Sequence, residues 1–352
     1  MSPIRHELVP GYSISRIING CWQLSAGHGP IAIDRAAVVD DLLRLIDGGL
    51  TTFDCADIYT GVETLLGELV RRYRERGGDP ALEGLQIHTK CVPDLDALPQ
   101  LSRREVTAIV DRSLQRLGVE RLDLVQLHWW DYEVPGYVEV AGWLAELQHA
   151  GKIRLLGATN FDVSRLRELV DAGVDLVTLQ TQYSLLDRRP EGDMRALCRE
   201  HGIQLLCYGA LAGGFLAEAY RGLDQAPAPD NRSQIKYRLI LDQAGGWAAF
   251  QRLLDALAEV AGRHGASLAN VAVRWVLERQ QVAATMIGVR NANRLADNLQ
   301  ALELELDTQD EAKLASAVAG LRPLAGDPFD LERIPGGEHR RIMKTGLNRR
   351  PC

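Results

Sequence analysis

Leu50-Thr51-Thr52-Phe53, Leu85-Gln86-Ile87-His88 and Leu122-Asp123-Leu124-Val125-Gln126-Leu127 read as three successive strands. Each delivers a chemically useful side chain at or just past its end. Asp54 follows the first, Lys90 the second and His128 the third, and Tyr59 lies just inside the loop after Asp54. In a barrel of alternating strands and helices the strand C-termini all point to one mouth, where chemistry is built. A phenol, an ammonium, a carboxylate and an imidazole gathered there make a proton-donating site.

Outward from these runs the chain keeps alternating. One helix is expected over 34–46, with Asp34 as N-cap and Gly48-Gly49 as its stop. A second is expected over 62–76, ahead of Gly77-Gly78. A third opens with the capping-box pattern Ser102-Arg103-Arg104-Glu105, carries Val106, Ile109, Val110 and Leu114 on its apolar face, and ends at Gly118. Helices over 140–150, 163–172 and 193–200 alternate with strands over 153–158, 174–179 and 204–208. Residues 213–246 read as a long irregular insertion containing Pro227 and Pro229. Helices over 247–263 and 268–278, a strand over 284–288 and a helix over 292–302 follow. An eighth strand is expected over 16–19.

Continuous apolar strands between amphipathic helices mark a parallel sheet covered on its outer face. Eight such units over roughly 300 residues suit an α/β fold of the (β/α)8 TIM-barrel type. The rival is a doubly wound open sheet, which usually binds dinucleotides through a G-x-G-x-x-G turn after its first strand. No such turn occurs here; Gly20-Cys21-Trp22 is not one. The expected organisation is one barrel over 1–319, with 320–352 as a C-terminal tail rich in Arg, Gly and Pro that packs on the barrel or its mouth.

Composition narrows the partners. The chain has 352 residues, 46% of them hydrophobic, with a net charge of -7. That supports a large core and argues against a nucleic-acid surface. No apolar run is long enough to span a bilayer, and the Met1–Glu7 segment lacks the apolar stretch of a signal peptide. A cytoplasmic protein with no membrane partner is expected. The cysteines, Cys21, Cys55, Cys91, Cys198, Cys207 and Cys352, form no C-x-x-C pair and read as reduced thiols. Cys55 and Cys91 adjoin the site and read as small core fillers. The histidines show no H-x-x-x-H pair, so no metal site is expected. A G-x-S-x-G elbow and a P-loop are absent. The oligomeric state is not specified by these features.

The segment Phe53-Asp54-Cys55-Ala56-Asp57-Ile58-Tyr59, followed by Glu63 and Leu66-Gly67, resembles the first signature of the aldo-keto reductases. The resemblance continues through Thr89-Lys90, Gln126-Leu127-His128-Trp129, Gly151-Lys152-Ile153-Arg154 and Gly157-Ala158-Thr159-Asn160-Phe161. It extends to Gln180-Thr181-Gln182-Tyr183-Ser184 and to Ile287-Gly288-Val289-Arg290 with Asp297-Asn298. The matches run in the family's order from residue 53 to 298, which makes them specific as a set. They imply a (β/α)8 barrel and reversible hydride transfer between a nicotinamide cofactor and a small-molecule aldehyde or ketone, or the corresponding alcohol or sugar.

Within that resemblance the roles follow a physical logic. Hydride arriving at a carbonyl carbon leaves charge on oxygen, so a positioned acid is needed. Tyr59 is the implied donor. A free phenol titrates near pH ~10, and a neighbouring Lys90 would lower that value. Asp54 would keep Lys90 charged and oriented, and His128 would hydrogen-bond the carbonyl oxygen. Thr159, Asn160 and Gln180 match positions that hold the nicotinamide carboxamide, and Tyr208 the aromatic on which its ring stacks. Ala210, Leu211 and Gly213 stand where the family commonly has Ser-Pro-Leu, and glycines there would let backbone approach the pyrophosphate. Gly288, Arg290 and Arg294, with Asp297 and Asn298, match the adenosine end, and arginines that meet a 2′-phosphate favour NADPH/NADP+ over NADH. The family's proline between Ile287 and Gly288 is missing. Trp22, Trp129 and Trp130 are expected to line the substrate pocket, with Gln23, Tyr132 and the tail segment 327–333 adding to it. Two other readings stand beside this one. The first is a non-catalytic NADPH-binding regulatory or partner subunit on the same barrel, which the intact tetrad counts against. The second is another barrel enzyme such as an isomerase.

Overall fold

The computed structural model describes residues 4–28 and 34–348. Cys352 and the first three residues, named above, lie outside them. Eight parallel strands close into a barrel: β3 (Ile17–Gly20), β4 (Thr52–Asp54), β5 (Gln86–Cys91), β6 (Leu122–Leu127), β7 (Ile153–Thr159), β8 (Leu176–Gln182), β9 (Gln204–Tyr208) and β10 (Val282–Gly288). They pair in sequence order, and β10 closes the ring on β3 through Thr285↔Ile17 to Gly288↔Gly20. The expected (β/α)8 barrel is therefore the observed fold.

An antiparallel hairpin precedes the barrel: β1 (Arg5–Val9) and β2 (Tyr12–Ser15). It was not anticipated. Leu8, Tyr12 and Ile14 from this hairpin pack in one buried cluster with Ile18, Leu124, Leu206 and Met286 of the barrel strands. Tyr12 also shares a 3.1 Å hydrogen bond with the Nε2 of buried His88. The hairpin thus plugs the end of the barrel opposite the mouth.

Helices cover the outer face: α1 (Arg35–Asp47), α2 (Val62–Gly77), α3 (Arg103–Leu117), α4 (Tyr137–His149), α5 (Val163–Asp171) and α6 (Asp193–Glu200). Beyond β9 come α7 (Arg232–Gln243), α8 (Gly246–His264) and α9 (Leu268–Leu277), and after β10 come α10 (Leu295–Glu303) and α11 (Thr308–Ala319). Two short helices lie in the tail, α12 (Asp330–Arg333) and α13 (Glu338–Arg341). Among the described residues no helix is long and apolar enough to cross a membrane.

Local chemistry explains the boundaries. Asp34 accepts from the Ala37 amide and caps α1. Ser102 and Glu105 form the full reciprocal capping box of α3, and Gly118 ends that helix at φ 67°, the left-handed region that glycine enters without penalty. A cap of this kind stabilises a helix by about 1 kcal/mol. The expected irregular insertion over 213–246 is corrected: the prolines end before Asn231, whose side chain accepts from the Gln234 amide and starts α7. The last outer helix of the repeat begins at Leu295 rather than 292, because Arg294 is its N-cap. Helix α11 was missed, although Asp307 and Asp310 form a capping box.

Two helical glycines separate backbone propensity from packing. A Cβ on Gly67 of α2 would lie 2.2 Å from the Arg116 carbonyl oxygen of α3, whereas one on Gly142 of α4 meets nothing within 4 Å. Gly67→Ala is expected to destabilise the protein by about 1–3 kcal/mol through overpacking. Gly142→Ala is expected to stabilise it by up to ~1 kcal/mol through helix propensity. Denaturant titration of the two variants checks the opposite signs.

Candidate active site

The strand ends bring the four sequence-selected side chains into one cavity of about 440 Å³ at the barrel mouth, lined by Asp54, Tyr59, Lys90 and His128. Asp54 is the last residue of β4, and Lys90 sits inside β5 rather than beyond it. Lys90 Nζ donates to Asp54 Oδ2 at 2.6 Å and to the Cys55 carbonyl at 2.8 Å, and both side chains are buried. The other carboxylate oxygen of Asp54 accepts from Gln180 at 2.7 Å and from Gln126 at 3.3 Å. Gln180 also donates to Gln126 at 3.1 Å. The ion pair is thus held from β6 and β8 across the barrel interior. Sequence reading missed Gln126, though it lies two residues before His128 on β6, where strand alternation places it on the inner face.

Tyr59 is half-buried on the cavity wall. Lys90 Nζ lies 5.2 Å from its ring centre and Trp22 stacks at a tilt with centroids 4.9 Å apart. Burial pushes the phenol up to about 12; Lys90 pulls it down as expected, but does not overcome burial. For Lys90, burial acts to lower the ammonium value, yet Asp54 and Tyr59 outweigh it and the net shift is upward. At neutral pH Tyr59 is a phenol and Lys90 an ammonium.

His128 follows β6. Burial, with Arg333 adding its charge, lowers the imidazole to about 3, so the ring is neutral. Its Nδ1 faces the Thr159 carbonyl at 3.3 Å, while buried Nε2 has no partner. Thr159 O only accepts, so that contact favours the proton on Nδ1. Donation from Nε2 to a substrate oxygen needs the other tautomer, and the exchange gives up one long hydrogen bond. Trp130 and Phe329 meet the ring edge-on at 4.4 and 5.2 Å.

The second group of residues forms the neighbouring wall. Thr159 ends β7, Asn160 follows at φ 61°, Gln180 lies on β8 and Tyr208 ends β9. Tyr208 donates to Asn160 Oδ1 at 2.7 Å. Ala210, Leu211 and Gly213 line the same cavity, as do Gly209, Gly214 and Gly288. Gly209, Gly213 and Gly214 all have positive φ, which turns the backbone sharply at the cavity edge. Their open backbone, the flat Tyr208 ring and the polar ends of Thr159 and Asn160 suit a nicotinamide dinucleotide. The unpartnered Nε2 of His128 suits a polar atom of a ligand beside it. Arg290, Arg294, Asp297 and Asn298 do not line the cavity. They stand past the end of β10, where exposed Arg294 pairs with Asp297 at 2.9 Å.

Among the pocket aromatics, Trp22 and Trp130 line the cavity and Trp129 does not. Trp129 is fully buried, donates its indole N–H to the Val134 carbonyl at 2.8 Å and packs on Tyr137. Alternation after His128 turns Trp130 to the mouth and Trp129 away from it. Tyr132 is corrected likewise: it lies under Arg333 and accepts from the Asp162 amide, outside the cavity. Gln23 does reach the cavity. So do Phe329, Met343, Lys344 and Leu347 of the tail, and Arg232, Ser233 and Lys236 of α7. The α7 residues were hidden inside the stretch read as irregular. Lys236 pairs at 2.7 Å with fully buried Glu332 and lies over the Tyr208 and Phe329 rings, tying α7 to the tail.

Comparison with known proteins places this arrangement. The model of the Aldo/keto reductase family matches residues 16–319. The chain is 26% identical over 320 residues to the NADH-specific methylglyoxal reductase of Escherichia coli strain K12, covering 85% of this chain and 93% of that protein. It is 28% identical over 323 residues to the chloroplastic pyridoxal reductase of Arabidopsis thaliana, covering 87% and 83%. A thermostable aldo-keto reductase solved with the inhibitor epalrestat superposes with a TM-score of 0.70 at 25% identity, over 90% of this chain and 100% of that one. A glycerol dehydrogenase from Gluconobacter oxydans shares the fold, with a TM-score of 0.76 at 23% identity over 93% and 99%. The family match runs through every barrel strand, and the chain therefore belongs to the aldo/keto reductase family, as an oxidoreductase that uses a nicotinamide cofactor and acts on a carbonyl compound or the corresponding alcohol.

Proposed function

We propose that the protein is an NADPH-dependent carbonyl reductase in which Tyr59 is the proton donor. The observation that carries this reading is the convergence of Tyr59, Lys90, Asp54 and His128 on one cavity beside the wall of Thr159, Asn160, Gln180 and Tyr208. When bound there, the reduced nicotinamide supplies the hydride. Tyr208 would support its ring, and Thr159, Asn160 and Gln180 would hold its carboxamide. His128 Nε2 hydrogen-bonds the substrate oxygen and aims it at Tyr59. As charge grows on that oxygen, Tyr59 gives up its proton, and Lys90, fixed by Asp54 at 2.6 Å, stabilises the phenolate left behind. Burial raises the phenol in the resting site, so the Lys90 charge matters most in the transition state, where the phenolate forms. Reversed, the same groups take the proton from an alcohol.

The substrate side of the cavity is built from Trp22, Ile58, Val92, Trp130, Phe329 and Leu347, which favours an uncharged, apolar carbonyl compound. Phe329 has φ 75°, a conformation uncommon for a bulky side chain. It is held between Arg333 and Lys236 against His128. The preference for NADPH rests on Arg290 and Arg294, both exposed near the start of α10, whose guanidinium groups suit a 2′-phosphate. The NADH-specific relative in E. coli makes this preference the point to measure.

Tyr59→Phe is expected to lower kcat for carbonyl reduction by about 10²–10⁴-fold while leaving the dissociation constant for NADPH near that of the parent. Stopped-flow absorbance of the reduced nicotinamide, with an aromatic aldehyde, reads both quantities. Undiminished turnover would remove Tyr59 from its role.

The pH dependence of reduction is a second check. Tyr59 titrates at about 12 and His128 at about 3, so neither changes charge near neutrality. kcat/KM for the carbonyl substrate should stay level between about pH 5 and pH 7, where an imidazole at its ordinary value of about 6.5 would give an inflection. A step in that interval would contradict the neutral His128.

For cofactor choice, the double variant Arg290→Ala/Arg294→Ala should raise KM for NADPH by about tenfold to a hundredfold. KM for NADH should be unaffected. Equal losses for the two cofactors would rule out recognition of the 2′-phosphate by these arginines.

A further inference from the structure

The segment from Cys55 to Gly61 carries Tyr59 between β4 and α2, and a distant part of the chain clamps it. Asp57, two residues before Tyr59, is buried, and its Oδ1 accepts from the Val92 amide at 3.2 Å. Its Oδ2 accepts from the side chain of Asn348 at 3.0 Å. The same Asn348 amide nitrogen donates to the Val92 carbonyl at 2.8 Å, and its backbone N–H donates to Asp94 at 3.0 Å. Its Oδ1 accepts from Arg112 at 3.4 Å. One side chain therefore bridges the loop that carries Tyr59 and the loop that follows Lys90.

We propose that Asn348 is a positioning residue for the reaction: by joining Asp57 to the Val92–Asp94 loop it holds the Tyr59 loop in its reactive pose. This rests on the reading of Tyr59 as proton donor. Asparagine suits the position because two acceptors, an oxygen of the Asp57 carboxyl group and the Val92 carbonyl, converge on it, and its NH2 has two donors. A carboxylate there could not donate to the Val92 carbonyl. The backbone holds the Tyr59 loop loosely at the same point, since the Asp57 N–H to Lys90 carbonyl contact is 3.5 Å. Burial, followed by the charge of Glu63, pushes the Asp57 carboxyl up to about 8, and the Asn348 hydrogen bond opposes that shift. Loss of the amide would strand the Asp57 oxygen and the Val92 carbonyl in a buried place. The tail itself would stay seated, because the Leu95 amide donates to the Thr345 carbonyl at 2.9 Å and Lys344 donates to the Gly27 carbonyl at 2.6 Å.

The test compares Asn348→Ala, Asn348→Asp and Tyr59→Phe in the full chain. The readouts are kcat, KM for the aldehyde, the NADPH dissociation constant, the melting temperature, and the primary isotope effect with deuterated reduced nicotinamide. Both Asn348 variants should lose about tenfold or more in kcat, with cofactor affinity kept within about twofold. The isotope effect should grow, because a misplaced donor slows the chemical step, and a purely structural role would not move it. A kcat equal to that of the parent in both variants overturns the proposal. So does a loss that appears only in cofactor affinity, or one that vanishes after correction for folded enzyme. If Tyr59→Phe keeps full turnover, the donor assignment itself fails. If Tyr59→Phe is inactive while the Asn348 variants run at the parental rate, only the clamp fails.

Discussion

The buried pair between Lys90 and Asp54 is the constraint around which the rest of the site is arranged. Two charges removed from water must be matched by close geometry and further hydrogen bonds. Here both sides are matched: the ammonium reaches a carboxylate and a backbone carbonyl, and the carboxylate is also held by two glutamine amides. Breaking such a pair by removing one partner typically costs ~3–5 kcal/mol, because the survivor is left charged and unpaired. The pair also joins three layers of the site. Lys90 faces Tyr59, Asp54 faces Gln180, and Gln180 stands beside the wall of Asn160 and Tyr208. Lys90, Asp54, Gln180 and Asn160 are in this way parts of one hydrogen-bonded unit, with Tyr59 packed against its Lys90 end.

The barrel supplies that unit with rigid mounts. Asp54, Lys90, Thr159, Gln180 and Tyr208 all lie within strands whose register is fixed by parallel pairing on both sides. Of the tetrad, His128 directly follows β6, and Tyr59 lies farther from a strand, inside a loop. Its placement depends on the packing of Trp22 and on hydrogen bonds made by its neighbours. The residue assigned the proton transfer is thus the member of the tetrad least fixed by secondary structure.

Much of this was legible in the sequence, and the failures have physical reasons. The strand 122–127, the capping box at Ser102 and the tetrad itself all follow from local rules: apolar runs, caps and strand ends. The hairpin over residues 5–15 escaped notice because its strands are short, although Pro10-Gly11 between alternating residues was a turn signal. Helix α7 was obscured by the prolines ahead of Asn231. Trp129 was misassigned because family likeness was followed where strand alternation should have decided. The net shift of Tyr59 was misjudged because a charge partner is visible in a sequence and burial is not. Phe329 lies in the tail segment expected at the pocket, whereas Met343 and Leu347 had no readable signal, since their place in the cavity is set by tertiary packing alone.

The ring closure of β10 on β3 has a consequence for how the molecule is made. These neighbours in space stand more than 260 residues apart in sequence, as the contact of Arg16 with the Val282 carbonyl records. During synthesis β3 must wait with one edge unpaired until β10 has left the ribosome, a slow, non-local step. The bridge from Lys344 to Gly27 comes later still. A nascent chain halted before these residues would hold the tetrad's sequence without the enclosure around it, so catalytic competence is the last property the polypeptide acquires.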